Sequence, residues 1–323
     1  MKSQEKKILV TGSSGFIGSA LIARLADKEE VRTIAALRET CANNSSLADE
    51  TVIFTAASQS KNFIPFGVST VIHLAGRAHI LNSPENSTLD IFRKDNVELT
   101  LNLAKQALQA GVRHFIFISS IGVNGTTTLD KAFDESSTPA PCTPYAHSKW
   151  EAEQALHALL RGSSMALTII RPPLTYAGHA PGNFRRLQKL VASRLPLPLA
   201  MIRNTRSMIA LDNLVDFILL CSEHPAAANE TFVIADGQDF STPQIIKHLA
   251  QGQGKHGFMI PFPVGMMNWA ARYVGMEAAF QQLCGSLQIN PSKASSLLGW
   301  QPPYEAEAAL IKAGYDFANN QQH

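Results

Sequence analysis

The chain has no run of 18 consecutive apolar residues, so none of it reads as a membrane-spanning helix. Its first apolar run begins near residue 7, which leaves no room for a secretory signal, and the cytoplasm is the expected compartment. Cysteine is scarce. Cys41, Cys142, Cys221 and Cys284 stand far apart, with no C-x-x-C pair and no histidine at ligand spacing. That argues against a disulfide framework and a zinc site, and suits free thiols in a reducing compartment. No basic block of the kind that binds nucleic acid appears, and the net charge is only +2. No metal, nucleic-acid or membrane partner is therefore expected. Internal repeats and low-complexity segments are missing too. What remains is a 323-residue chain with 45% hydrophobic and 17% charged residues. It can build one large α/β domain with an appended lobe, or two domains.

The most informative stretch is Val10-Thr11-Gly12-Ser13-Ser14-Gly15-Phe16-Ile17-Gly18. It follows the apolar run Lys7–Val10, which reads as a buried strand, and opens the amphipathic run Phe16–Leu25, which reads as a helix. Glycines at such a junction allow a tight turn, close approach of a pyrophosphate to the main chain, and close packing of helix on strand. The free N–H groups at the helix start then face an anion, so a dinucleotide is the first ligand to consider. The spacing is G-x-x-G-x-x-G, and a helix-entry turn with a packing glycine is the competing explanation.

The first half alternates short apolar runs with helical patterns, the grammar of a parallel sheet with covering helices. Strands are predicted at Lys7–Thr11, Val31–Leu37, Thr51–Thr55, Thr70–Leu74, His114–Ser119 and Ala166–Ile170, with one more at Thr231–Ile234. A long helix is predicted from Ser87 to Ala110, stopped by Gly111. A second is announced by Thr143-Pro144, a capping threonine with proline at the first helical position. After Arg171-Pro172-Pro173 prolines break the chain into short pieces. Residues 1–175 are read as the main domain and 176–323 as mainly a smaller lobe, some of which returns to complete the sheet.

Tyr145 and Lys149 stand four apart at the start of that second helix and share a face. A tyrosine acid/base must come down about three pK units, or ~4 kcal/mol, to work at neutral pH. One ammonium about 5 Å away supplies roughly 3 kcal/mol at an effective dielectric near 20. An oxidised nicotinamide, itself cationic, would supply the rest. Alone, a Y-x-x-x-K is weak evidence. Ser119-Ser120, however, ends the run Phe115–Ile118 at the C-terminal edge of a strand, where ligands of open α/β sheets bind. Ser120 could hold the same substrate oxygen, or simply cap a turn. Asn96 lies inside the long helix, where asparagine is a poor helix former. His73-Leu74-Ala75-Gly76 ends the fourth strand with small residues that would let a cofactor lie against the backbone; His73 alone reads as a core histidine.

Taken together, Thr11–Gly18, His73–Gly76, Asn96, Phe117–Ser120, Tyr145-x-x-x-Lys149 and Arg171-Pro172 resemble, in order and spacing, the extended short-chain dehydrogenases/reductases. Within them the pattern is most similar to the NAD-dependent epimerase/dehydratase family, UDP-glucose 4-epimerases in particular. The resemblance implies a Rossmann-type doubly wound parallel sheet with a smaller C-terminal substrate-binding lobe. It implies Tyr145 as acid/base, Lys149 as the group that lowers its pKa and holds the nicotinamide ribose, Ser120 as the orienting hydroxyl, and Asn96 as support. NAD or NADP would lie on Gly12, Ser14, Gly15, Phe16, Ile17, Gly18, Leu74, Ala75, Gly76, Lys149 and Pro172. A nucleotide-diphosphate sugar would meet Ser120, Asn183 and Arg206, the last in a segment similar to the family's R-x-x-I-x-x-D. Without the resemblance, Arg206 reads as a surface ion-pair residue. A homodimer through the helices carrying Asn96 and Tyr145 is also implied.

Three departures stand out. Ala35-Ala36-Leu37-Arg38-Glu39 replaces the usual acidic end of the second strand, and Arg38 suits the 2′-phosphate of NADP. Ala56–Ser60 replaces the family's Gly-Asp-Leu, whose acid meets the adenine. No second diphosphate arginine occurs at Cys284–Gln288. The expected reaction is hydride exchange with C4 of a nucleotide-linked hexose, read first as 4-epimerisation of a UDP-sugar. The alternatives are NADPH-dependent 4-ketoreduction of a UDP-4-keto-6-deoxy-hexosamine and a catalytically idle NADP-binding sensor or scaffold.

Overall fold

A computed structural model describes residues 6–37, 47–54, 63–77, 89–193 and 195–320. Strand β1 (Lys6–Thr11) leads into α1 (Phe16–Ala26), followed by β2 (Val31–Leu37), β3 (Glu50–Ile53) and β4 (Val68–His73). Next comes a helical stretch in three parts: α2 (Leu89–Arg93), one π turn at Lys94–Glu98, and α3 (Leu99–Gln109). Strand β5 (His114–Ile118), α4 (Pro144–Leu160) and β6 (Ala166–Arg171) complete the first half. The remainder holds β7 (Thr175–Tyr176), α5 (Gly182–Ala192), β8 (Ile209–Ala210), α6 (Leu211–Glu223), β9 (Thr231–Val233) and α7 (Thr242–Gly252). It ends with α8 (Val264–Tyr273), α9 (Glu277–Cys284), α10 (Ser292–Leu298) and α11 (Ala306–Asn319).

The sheet has the order β3-β2-β1-β4-β5-β6-β9, and every pairing in it is parallel. Its order reverses between β1 and β4, which opens a crevice at their C-terminal ends. Helices cover both faces, so the strands are apolar on both sides. Leu21, Ile22 and Leu25 of α1 pack with Leu214, Phe217 and Ile218 of α6 on one face. Leu103, Ala104 and Ala107 of α3 pack with Ala152 and Leu156 of α4 on the other. Each such leucine contributes about 1.5–3 kcal/mol by leaving water. A third core under α5, α7 and α11, including Phe184, Ile246 and Leu310, builds the C-terminal lobe. The sheet takes its last strand, β9, from the second half of the chain.

Local sequence explains the elements that carry the site. Gly12, at φ +70°, makes the turn out of β1. The α1 N-terminus has neither a side-chain cap nor an acidic first turn. In α4 the Thr143 hydroxyl accepts from Ala146 N at 3.2 Å and Pro144 opens the first turn, as expected. The long helix differs: a π turn interrupts it around Asn96, and its predicted start at Ser87 lies outside the described residues. Thr55, the predicted end of the third strand, lies outside them as well.

Candidate active site

The C-terminal ends of β4, β5 and β6 converge with the starts of α1 and α4 on a cavity of about 340 Å³. Its walls are Ile17, Leu74, Gly76, Ile118, Ser119, Ser120, Tyr145, Lys149 and Pro172–Thr175. Eight residues picked out from the sequence thus meet in one place: Ile17, Leu74, Gly76, Ser119, Ser120, Tyr145, Lys149 and Pro172.

The glycines form a cradle that side chains would fill. A Cβ on Gly12 would lie 2.7 Å from Ala75 N, and one on Gly18 only 2.1 Å from Gly12 O. One on Gly76 would meet Asn96 Oδ1 and Lys149 Nζ, each at 3.2 Å. With the uncapped α1 N-terminus beside it, this cradle fits a dinucleotide pyrophosphate.

Ser120 Oγ accepts from Gly122 N at 3.1 Å, and the Ser120 hydroxyl beside Tyr145 draws the phenol pKa down. Phe92 of α2 braces the phenol ring edge-on, with centroids 6.2 Å apart. Burial pushes the Tyr145 hydroxyl up to about 12, and the Ser120 hydroxyl offsets only part of that. The expected lowering by Lys149 is not what the protein groups do by themselves. Lys149 Nζ instead donates to Ile118 O at 2.9 Å and stands 4.6 Å from the centre of the Phe117 ring. Burial brings its pKa down to about 8, against the attraction of Glu153 one turn further along α4. The lysine is a buried cation anchored on the end of β5.

Asn96 is not a wall of the cavity. It sits fully buried behind it, in the π turn. Its Oδ1 accepts from Arg77 N at 2.7 Å, and its Nδ2 donates to Arg77 O and to Ser148 Oγ at 3.1 and 2.9 Å. It clamps the loop after β4 to α4. His73 continues the same scaffold. Thr100 Oγ1 donates to Asn96 O, so it accepts from His73 Nε2–H at 2.8 Å, and Nδ1 accepts the Thr11 hydroxyl at 2.6 Å. Burial holds this imidazole down to about 3, a neutral pillar between β1, β4 and α3.

Asn183 and Arg206 belong to the C-terminal lobe. Exposed Asn183 donates to Gln282 Oε1 at 2.6 Å. Half-buried Arg206 donates to Gly285 O at 2.9 Å and its backbone pairs with Leu287 and Phe240. It is therefore no surface ion-pair residue. Its segment lies against Cys284–Gln288, the stretch without a second arginine, which in turn packs on the loop at Thr128. Ser14, Gly15, Phe16 and Ala75 lie in the glycine loop and the turn after β4. Arg38 and Ala56–Ser60 fall outside the described residues.

One set of residues was not foreseen. Ser119 donates to Glu153, which pairs bidentately with Arg171 at 3.0 and 2.5 Å; Arg171 also donates to Asn124 Oδ1 at 3.0 Å. All four are buried, and they lock the ends of β5 and β6 to α4. The signal was present in part: Glu153 follows Lys149 by four residues, on the face that carries Tyr145.

The model of the NAD dependent epimerase/dehydratase family matches residues 8–235. The chain belongs to that family. It is an NAD(P)-dependent enzyme of the nucleotide-sugar epimerase kind. It is 37% identical to a UDP-glucose 4-epimerase of Vibrio cholerae, over 99% of this chain and 98% of that one. It is 25% identical to the N-acetyl-alpha-D-glucosaminyl-diphospho-ditrans,octacis-undecaprenol 4-epimerase of Escherichia coli O157:H7, over 97% and 96%. Among solved structures it resembles the UDP-glucose 4-epimerase of Thermotoga maritima with UDP-glucose, with a TM-score of 0.76 at 21% identity over 98% and 100% of the two chains. The UDP-glucuronic acid 4-epimerase of Bacillus cereus with NAD gives 0.75 at 20% over 97% and 96%. These likenesses bear out the doubly wound fold. Among the described residues no helix is long and apolar enough to cross a membrane.

Proposed function

We propose that the chain is a UDP-sugar 4-epimerase whose acid/base is Tyr145. The observation that carries this is the meeting of Tyr145, Ser120, Lys149 and Gly76 in the walls of one cavity. Gly12–Gly18 and Leu74–Gly76 would hold NAD(P), which when bound supplies reversible hydride chemistry at C4 of the hexose. Tyr145 would take the proton from the C4 hydroxyl as the hydride leaves; the 4-keto sugar then turns its other face to the cofactor, and Tyr145 returns the proton to the C4 oxygen as the hydride comes back. Ser120 holds that oxygen, its hydroxyl already oriented by Gly122 N. The Lys149 ammonium, with the cationic oxidised nicotinamide, supplies the field that burial opposes. Asn183 and Arg206 grip the nucleotide diphosphate from the other lobe, so binding energy far from C4 positions C4. The relatives' names support this assignment, and the soluble homodimer remains part of the same proposal.

Arg38 favours a second outcome in which NADPH enters, NADP leaves, and a UDP-4-keto-6-deoxy-hexosamine is reduced at C4. The test is to denature the purified protein, identify any released dinucleotide, and incubate the native enzyme with UDP-glucose and with UDP-N-acetylglucosamine. Retained NAD and formation of the C4 epimer without added cofactor support the epimerase. Consumption of NADPH with no epimer formed overturns it in favour of the reductase. No turnover, with cofactor bound, overturns it in favour of a sensor.

A further inference from the structure

We propose that the C-terminal lobe docks on an anionic lipid bilayer, through the outward side of α8 and the basic side of α5. Helix α8 buries none of its residues completely. Val264 and Met267 rest on the core of the lobe. Met266, Trp269 and Tyr273, spaced three and four apart, are 58%, 71% and 83% exposed. Val274 and Met276 extend the stripe, and Phe258 is exposed nearby in the chain. The rings of Trp269 and Tyr273 stack with centroids 6.0 Å apart. Single exposed apolar residues are ordinary, but a stripe of large ones marks a contact surface. Tryptophan and tyrosine beside methionine and valine suit the level of lipid headgroups, where the rings are half in water.

Charge identifies the partner. Residues 182–206 and 255–285 carry eight lysines and arginines against one acidic residue, Glu277. That is a formal +7 in a chain whose total is +2. Arg185, Arg186 and Lys189 of α5 and Arg203 beyond it are exposed, and no described acidic residue pairs with them. Glu277 is itself paired with Arg272 at 3.1 Å. The two segments form one body. Asn183 bonds Gln282, Lys255 Nζ donates to Ala192 O at 2.6 Å, and the Leu197 backbone pairs with Phe258 and Ile260. A second copy meeting this same face would bring like charges together, whereas a bilayer rich in anionic headgroups attracts the face and accepts the aromatic stripe. A surface contact needs no spanning helix, so the lack of one does not oppose it. Neither Trp269, Tyr273 nor the α5 cations line the cavity at Tyr145.

The test uses the full chain and vesicles of phosphatidylcholine with about one-third phosphatidylglycerol, against pure phosphatidylcholine, at low salt. Trp300 is buried and Trp150 is partly covered under Arg171, so Trp269 dominates any lipid-dependent change in emission. The anionic vesicles should sediment the protein and shift its emission to the blue; pure phosphatidylcholine should do neither, and added salt should release the protein. The double variant W269A/Y273A and the triple variant R185Q/R186Q/K189Q should each lower partitioning by at least about tenfold while turnover on a soluble nucleotide sugar is unchanged. No sedimentation with anionic vesicles overturns the proposal, as does binding that neither variant weakens. A blue shift that follows protein concentration without lipid also overturns it and assigns the stripe to self-association.

Discussion

Lys149 donates its ammonium to the carbonyl oxygen of Ile118, 2.9 Å away, where β5 ends. This one contact ties the helix that carries Tyr145 to the strand that leads into Ser119-Ser120. It also keeps a buried cation one turn from Glu153, with its pKa brought down to about 8. Because its folded pKa lies below the unfolded one, the charged lysine costs stability at neutral pH, and that cost fades as pH rises from about 8 towards 10.5. Lys149→Met should therefore trade function for stability. Turnover is expected to fall at least about 100-fold, while urea denaturation at pH 7 shows a stability within about 1 kcal/mol of the parent or above it. A strongly destabilised K149M would show that the contact with Ile118 outweighs desolvation.

Tyr145→Phe removes the proposed proton carrier and keeps the ring that packs on Phe92. The expected loss is roughly 10²–10⁴-fold in kcat, with dinucleotide and UDP-sugar binding retained. Ser120→Ala acts on the same phenol in a different way. The Ser120 hydroxyl is the influence that draws the Tyr145 pKa down, so without it the phenol rises. The limb of the pH–kcat profile that reports phenol ionisation should move to higher pH. A profile that stays in place would remove Ser120 from this role.

The glycine cradle was legible because steric need writes itself as composition: a Cβ on Gly18 would run into Gly12 O, and Gly12 sits at φ +70°, where side chains are strained. The α4 start was legible for a similar reason, since Thr143-Pro144 is a local signal for a local event. The π turn at Lys94–Glu98 was not. It inserts one residue into the helical register, and only the misplaced Asn96 hinted at it. The Ser119–Glu153–Arg171–Asn124 network joins residues up to 52 positions apart, and periodicity does not say which buried charges meet. Arg206 was placed by resemblance, but its pairing with Leu287, from 81 residues further along, is a tertiary fact.

Gly18→Ala should weaken the cofactor without touching the chemistry. A Cβ 2.1 Å from Gly12 O forces the loop away from α1. Strain of about 1–3 kcal/mol corresponds to roughly 5- to 150-fold weaker dinucleotide binding, readable by calorimetry. At saturating cofactor most of kcat should return.

Glu153→Gln leaves Arg171 buried without its counter-charge. The side chains are 1% and 6% exposed, so water cannot compensate. A loss of about 3–5 kcal/mol in denaturant unfolding is expected. The exposed pair Lys28–Glu223 provides the contrast: Lys28→Gln should cost under about 1 kcal/mol in the same assay. Similar losses in both variants would mean that the buried network does not lock β5 and β6 to α4.

His73 sets an acid limit on the fold. Held at about 3 in the native state against an ordinary 6.5, it stays neutral while the unfolded chain takes up a proton. The unfolded state then binds more protons between those two values, so stability falls as pH drops through that window, by up to about 5 kcal/mol from this group. Protonation would give Nδ1 a proton and turn it from acceptor to donor, facing the Thr11 hydroxyl that also accepts from Ala75 N at 3.4 Å. His73→Asn should be less stable than the parent at pH 7, having lost the bridge from Thr11 to Thr100. Its stability should nevertheless decline less steeply between pH 6.5 and pH 4, and chemical denaturation across that range measures both slopes. Equal slopes would place the acid sensitivity elsewhere and leave His73 a packing residue only.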